Sequence, residues 1–388
     1  ILPATKAVAA GNWFSNLPIM LNFTLKTCFI FAVPALILSM VSPLAIKLTL
    51  TDLKQTGGIV GTIYAVSTIG AIVGTFMTGF YFILWFGVSM IIWLVAGVLL
   101  ITGVIVWFSW EVPDRWKFSL KNFTVWLVVI VVILAGVLLF QLRDRWQVAY
   151  TKESNYYSIQ VIDYPGGKMK ELRLDNVHHA LVIPDEPTNL QFMYLKAFAD
   201  IVGYVNVGGL PLRTLHLGGG GYTFPRYLEA VYAGSSNHVV EIDPVVTDVA
   251  YEELGLPRDT DIKTYNLDAR QFLIQHPGEP KYNLIIGDVF SSLSTPYHLT
   301  TYEFDKLVKN SMEPDGVYLV NIIDDYVQGR YTASIIRTLL HTFNNVYLFS
   351  MQSNWNYAGL SNYVIAATDR DIDLNGLKKY STNNGGFV

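Results

Sequence analysis

No Asp, Glu, Lys or Arg occurs between Gln55 and Trp110. One membrane span needs only about 20 residues at roughly 1.5 Å rise each. The run is therefore too long for one apolar helix, and "LWFG" (84–87) is its natural break. Two helices follow, over 57–84 and 88–110. A third apolar stretch precedes them at 24–47 and a fourth follows at 122–142. Four such stretches in succession rarely occur outside lipid, so residues 1–145 are expected to form a transmembrane helical bundle. The lipid bilayer is the expected partner of this half.

The second stretch carries Gly58, Gly61, Gly70 and Gly74 near one helical face. The Gly70-x-x-x-Gly74 spacing lets helices approach closely, within the chain, against a second copy, or against other membrane subunits. A transport path normally shows an ionisable residue inside the membrane, and none lies between 55 and 110. An anchor is expected rather than a transporter. Lysines and arginines are balanced on the two sides of the spans, so orientation is not set by charge. Cys28 is the single cysteine, which excludes a disulfide framework within the chain.

After Arg145 the composition becomes that of a water-soluble domain. Residues 146–185 alternate apolar and polar, with turns at Pro165-Gly166-Gly167 and Asp175-Asn176, and read as a small β-strand subdomain. From 186 to 375 strands and helices alternate, which predicts a mostly parallel, doubly wound sheet. Residues 376–388 read as a tail.

The chemistry-bearing residues fall at the carboxyl ends of those strands, where such sheets bind ligands. The first strand runs into Gly218, Gly219, Gly220 and Gly221. Glu241 ends the second strand, twenty positions past Gly221, where this fold places a partner for ribose hydroxyls. Asp268 and Ala269 follow the third strand, Asp288 the fourth, and Asp324 with Asp325 the fifth. A dinucleotide fingerprint fits less well, because its sixth position is Thr223 rather than glycine. His178 and His179 are adjacent on a strand, point to opposite faces and cannot share one metal ion, so no metal is expected. His298 sits on a loop beyond Asp288 that can cover the site. The net charge of −4 and the lack of basic runs argue against nucleic acid as a partner.

The ordered motifs "ESNYYSIQV", "LRLDN", "LHLGGGG", "VVEIDP", "NLDARQFL" and "EPDGVYLVN" resemble those of the spermidine synthase (polyamine aminopropyltransferase) family. With the apolar half included, the chain looks like the membrane-fused spermidine synthase-like proteins. The resemblance implies a Rossmann-like fold of the S-adenosylmethionine-dependent methyltransferase type behind a small β-hairpin subdomain. It implies a donor, S-adenosylmethionine or its decarboxylated form, held by Gly218–Gly221, Glu241, Asp268 and Ala269. It implies an amine acceptor, with Asp288 as catalytic acid or base and Tyr157, Gln191, His298 and Asp324 on the substrate. The departures fall at the amine end. Tyr157 stands for the family's glutamine, Leu190-Gln191 for its Tyr-Gln, Gly221 for the aspartate of its glycine loop, and Asp288-Val289-Phe290-Ser291 for its Asp-Ser-Ser-Asp, so that only the first of those two acids remains. Tyr222 occupies that loop where a small residue is usual. The expected activity is aminopropyl or methyl transfer to an amine, with the catalytic domain in the cytoplasm, where such nucleosides are made. The alternative is a non-catalytic subunit that acts as a scaffold in a membrane complex.

Overall fold

The computed structural model describes residues 19–50, 56–83, 88–109, 148–175, 177–278, 281–291, 294–327, 329–351 and 359–385. The chain divides into two compact units, Ile1–Trp146 and Gln147–Val388.

In the first unit the described residues form helices α1 (Ile19–Ser39), α2 (Val41–Thr49), α3 (Thr56–Met77) and α4 (Val88–Ser109). The stretch 24–47, expected as one span, is broken at Met40. Pro43 explains the break: it has no amide to offer the Ser39 carbonyl, and its ring crowds that carbonyl. A π turn, Thr78–Phe82, extends α3. Among the described residues, the continuous helix Thr56–Phe82 is the one long and apolar enough to cross a membrane. None of the α3 residues is buried. Its Thr62, Thr68 and Thr75 hydroxyls donate to carbonyls one turn back, at 2.9, 2.8 and 2.8 Å. Those bonds satisfy the hydroxyls without water. The span expected at 122–142 lies outside the described residues.

The second unit opens with an antiparallel meander, β1 (Val148–Glu153), β2 (Ser158–Asp163), β3 (Lys170–Leu174) and β4 (Val177–Val182). Helix α5 (Met193–Val205) leads into a seven-stranded sheet. Its strands are β5 (Arg213–Leu217), β6 (Ser236–Val240), β7 (Lys263–Tyr265), β8 (Tyr282–Gly287), β9 (Met312–Asp324), β10 (Asn345–Ser350) and β11 (Ser361–Thr368). The order is β10-β11-β9-β8-β5-β6-β7. The ladder from β9 to β7 is parallel, and β11 runs antiparallel to both its neighbours. Connecting helices are α6 (Thr223–Val231), α7 (Pro244–Glu252), α8 (Ala269–Gln275), α9 (Tyr302–Asn310) and α10 (Tyr331–Leu339).

Strands buried on both faces read as apolar runs, as in "YNLIIG" of β8. Alternate residues enter different cores. Ile285 packs with Phe272, Phe304 and Leu339 on one face. Leu284 and Ile286 pack with Phe198, Phe224 and Leu377 on the other. The meander shares a third core with α7, through Ile159, Leu172, Val246 and Val249. The residues read as a tail are folded as far as Asn383: α11 (Leu374–Asn383) buries Leu377, and Ser381 donates to Asp200 of α5. The chain leaves β5 toward β6 and returns from β7 to β8 on the other side of β5. That reversal opens a crevice at the carboxyl ends of β5 and β8, the switch point where such sheets bind ligands.

Candidate functional site

The Gly218 amide donates to the Val240 carbonyl at 2.9 Å, and the Asp288 amide to the Leu217 carbonyl at 3.0 Å. The two loops are thus pinned to the ends of their own sheet. Gly218 has φ +94°, and a Cβ there would collide with the Asp288 carbonyl oxygen. Only glycine lets the loops come this close. Gly220 has φ +48° and open space where a Cβ would stand. Gly221 abuts β4: a Cβ would lie 2.5 Å from the Ala180 Cβ.

Glu241 holds the loop from behind. One carboxylate oxygen accepts from the Gly219 and Gly220 amides at 2.8 and 3.2 Å, and the other from Asp243 at 3.0 Å. Burial pushes its pKa up despite those three donors, and the neighbouring Asp243 charge adds to the rise. The second oxygen keeps a free lone pair for a ligand hydroxyl.

Tyr222 follows with φ +53°, a left-handed conformation that is uncommon for a bulky residue. Its ring turns away from the crevice and is fully buried. Its hydroxyl meets Thr247 and Thr264 at 3.1 and 3.0 Å. The loop therefore keeps a glycine-like backbone without a glycine. Helix α6 starts at the next residue, and the Thr223 and Phe224 amides of its first turn have no helical acceptor.

The cleft above this loop holds about 220 Å³. Gly218–Gly221 and Asp288 line it together. Asp288 is enclosed: Tyr194 donates to one oxygen at 2.9 Å and Asn321 to the other at 2.9 Å. Asn362 donates to the Asn321 carbonyl at 2.9 Å, which turns the Asn321 amide toward Asp288. Burial raises the Asp288 pKa, and the two donors oppose the rise. His179 also lines the cleft, with its Nε2 buried and without a hydrogen-bond partner. Burial lowers its pKa to about 4, with Asp175 opposing and His178 assisting, so it is neutral near pH 7.

The remaining expected residues are placed as follows. Asp268 caps α8, accepting from Gln271 at 3.0 Å, and its other oxygen meets His298 Nε2 at 2.8 Å. His298, expected on the acceptor, is thus tied to the nucleoside-side acid. Ala269 is buried in the α8 core. Tyr157 rims the site by donating to the Phe290 carbonyl at 3.1 Å, and burial with the Glu241 and Asp243 charges lifts its pKa to about 12. Two expected residues are placed away from the cleft lining. Gln191 precedes α5, donates to Asn189 at 3.1 and 2.7 Å, and does not line the cleft. Asp324 is consumed by the start of α10: one oxygen accepts from the Thr332 amide and hydroxyl, both at 2.8 Å, and the other from the Asp325 amide at 2.9 Å. Tyr194, Asn321 and His179 were not anticipated there. Tyr194 is legible only as the position that shares a helix face with Phe198, four residues on. Among the described residues no cluster of three or more His, Cys, Asp or Glu is placed to hold a metal.

No family model matches the chain. It is 32% identical over 133 residues to a probable polyamine aminopropyl transferase of Bifidobacterium longum, covering 34% of this chain and 29% of that protein. It is 30% identical over 137 residues to a polyamine aminopropyltransferase of Vibrio vulnificus, covering 35% and 46%. It is 35% identical over 120 residues to an N-terminal histidine N-methyltransferase of Emericella nidulans, covering 30% and 21%. The chain thus spans less than half the length of each of these three relatives. Among solved structures, a probable spermidine synthase from Corynebacterium glutamicum superposes with a TM-score of 0.54 at 23% identity, covering 61% of this chain and 88% of that one. The fold of the second unit is therefore the Rossmann-like one seen in that spermidine synthase structure, and the matching segments are similar to polyamine aminopropyltransferases and to a methyltransferase.

Proposed function

We propose that this chain is a membrane-anchored transferase that takes an aminopropyl or methyl group from a sulfonium nucleoside, S-adenosylmethionine or its decarboxylated form, to an amine. The observation that carries the reading is the glycine loop and Asp288 lining one cleft, with Glu241 fastened behind the loop. The residues fit such a donor. Gly220 leaves open space over the loop, α6 offers amide donors, and Glu241 keeps an acceptor position for a ribose hydroxyl. Asp268 would face the base once His298 moves aside.

A sulfonium nucleoside supplies an electrophilic carbon and a thioether leaving group. The chain's part is to position and to take a proton. The attacking amine must be neutral, and the proton it sheds needs an acceptor. Asp288 is that acceptor: each oxygen has a lone pair left beside its donor. Its raised pKa moves a carboxylate toward neutral pH, where a base is most effective. Tyr194 and Asn321 orient it. In-line approach of the amine to the sulfonium carbon supplies the rest.

The anchoring part of the proposal rests on the unburied apolar helix Thr56–Phe82. The origin of the nucleoside then favours a cytoplasmic catalytic unit. Titration calorimetry of the detergent-solubilised chain with both nucleosides tests the transferase reading, and heatless titrations with both would end it. Fractionation tests the anchor: a chain released from membranes by high salt alone is not anchored.

A further inference from the structure

The acceptor end of the cleft is unlike a polyamine site. The cleft that Asp288 lines has Phe192, Tyr194, Leu195, Phe198, Phe224 and Ile323 among its walls, together with the uncharged amides of Asn321 and Asn362 and the imidazole of His179. The aromatic rings interlock, with centroids 5.7 Å apart for Phe192–Tyr194 and Tyr194–Phe198, and 5.5 Å apart for Phe198–Phe224. Among the described residues, Asp288 is the one carboxylate lining the cleft. Glu241 lies behind the loop under backbone amides. Asp324, the acid best placed by sequence to hold a second ammonium, is bonded to Thr332 and the Asp325 amide. The imidazole of His179 is the polar group left over.

A diamine brings two positive charges. One can shed its proton to Asp288, but the other would lie against rings, aliphatic side chains and amides, with no second carboxylate lining the cleft among the described residues. Burying an unpaired charge is strongly disfavoured. The same walls suit an apolar body, whose transfer from water is favourable. We infer that the acceptor is a hydrophobic monoamine, one amino group on an apolar or aromatic body, rather than a polyamine. The inference rests on the transferase reading for its chemistry. In the reaction the amine nitrogen bonds to the sulfonium carbon, the carbon–sulfur bond breaks with its electron pair going to sulfur, and the proton leaves to Asp288. His179 Nε2 lies in the same cleft as a neutral hydrogen-bond partner for a polar substituent on that body.

The test uses the full chain in detergent, with phenethylamine and putrescine as probes and calorimetry with and without S-adenosylmethionine. Phenethylamine is expected to bind at least about tenfold more tightly than putrescine. Phe192→Ala is expected to weaken phenethylamine several-fold and leave putrescine unchanged. Putrescine binding as tightly as phenethylamine, no binding of either amine, or indifference of phenethylamine to Phe192→Ala would each overturn the inference. Absence of nucleoside binding with the amine preference intact would remove the transferase reading and leave the acceptor class standing.

Discussion

The Tyr194 hydroxyl donates to Asp288 at 2.9 Å, joining the helix before the sheet to the loop after its fourth strand. This bond favours the ionised carboxylate against the burial that raises its pKa. Tyr194→Phe removes it, so the Asp288 pKa climbs further. A base is lost when protonated, so the acid limb of the pH–rate profile moves to higher pH in Tyr194→Phe. Asp288→Asn removes the base altogether, and kcat falls by about 10²–10⁴. An unmoved acid limb in Tyr194→Phe would show that Asp288 is not the titrating base.

Gly221 has no room for a side chain beside β4. Its Cβ would press on Ala180 of β4 at 2.5 Å and on Val182 at 3.1 Å. Gly221→Asp alone therefore overpacks this contact and costs about 1–3 kcal/mol. Ala180→Gly removes the nearer obstacle. The pair Gly221→Asp with Ala180→Gly is expected to be more stable than the sum of the single changes predicts. A double-mutant cycle by urea denaturation reads the coupling, and strict additivity would mean the two positions do not meet.

The sheet and its ligand edge were readable because apolar runs, glycines and acids recur at strand ends, and parallel strands force those ends to one rim. Side-chain direction was not readable in the same way. Asp324 ends its strand on the rim, but α10 begins seven residues later and its Thr332 captures the carboxylate. Gln191 lies two residues before the helix that starts at Met193, and that helix puts Tyr194 and Phe198 on the cleft instead. His298 lies ten positions past Asp288, but a short 3₁₀ turn at Tyr297–Leu299 delivers it to Asp268. Each difference comes from one or two residues of register, which composition and spacing do not resolve.

Tyr222 combines positive φ with full burial. The left-handed backbone costs roughly 1–2 kcal/mol for a non-glycine residue. The compensation is a ring packed beneath Gly219 and a hydroxyl shared by Thr247 and Thr264. Tyr222→Phe keeps the ring but takes the hydroxyl from Thr264, while Thr247 still accepts from Asn266 at 3.2 Å, for an expected loss of about 1–3 kcal/mol. Nucleoside affinity should change little, because the hydroxyl points away from the cleft. Calorimetry and urea denaturation on the same variant separate the two. A large loss of affinity at unchanged stability would place the hydroxyl on the ligand.

Asp305 of α9 is buried on the opposite face of the sheet, beside a cavity of about 20 Å³ that Tyr318 and Tyr331 also line. Burial alone pushes its pKa up to about 7. In the unfolded chain it titrates near its ordinary value of about 3.9. A carboxyl whose folded pKa is raised favours the fold while protonated. Its contribution is complete below about pH 4 and is lost as pH rises through about 7. About three pKa units correspond to roughly 4 kcal/mol as an upper bound. Asp305→Asn has nothing to ionise there. Its stability relative to the parent is expected to rise between pH 4 and pH 8, with the gain largest at alkaline pH. Unfolding of both chains across that range measures the difference. A gap independent of pH would mean that Asp305 stays ionised in the fold, balanced by water in the adjoining cavity.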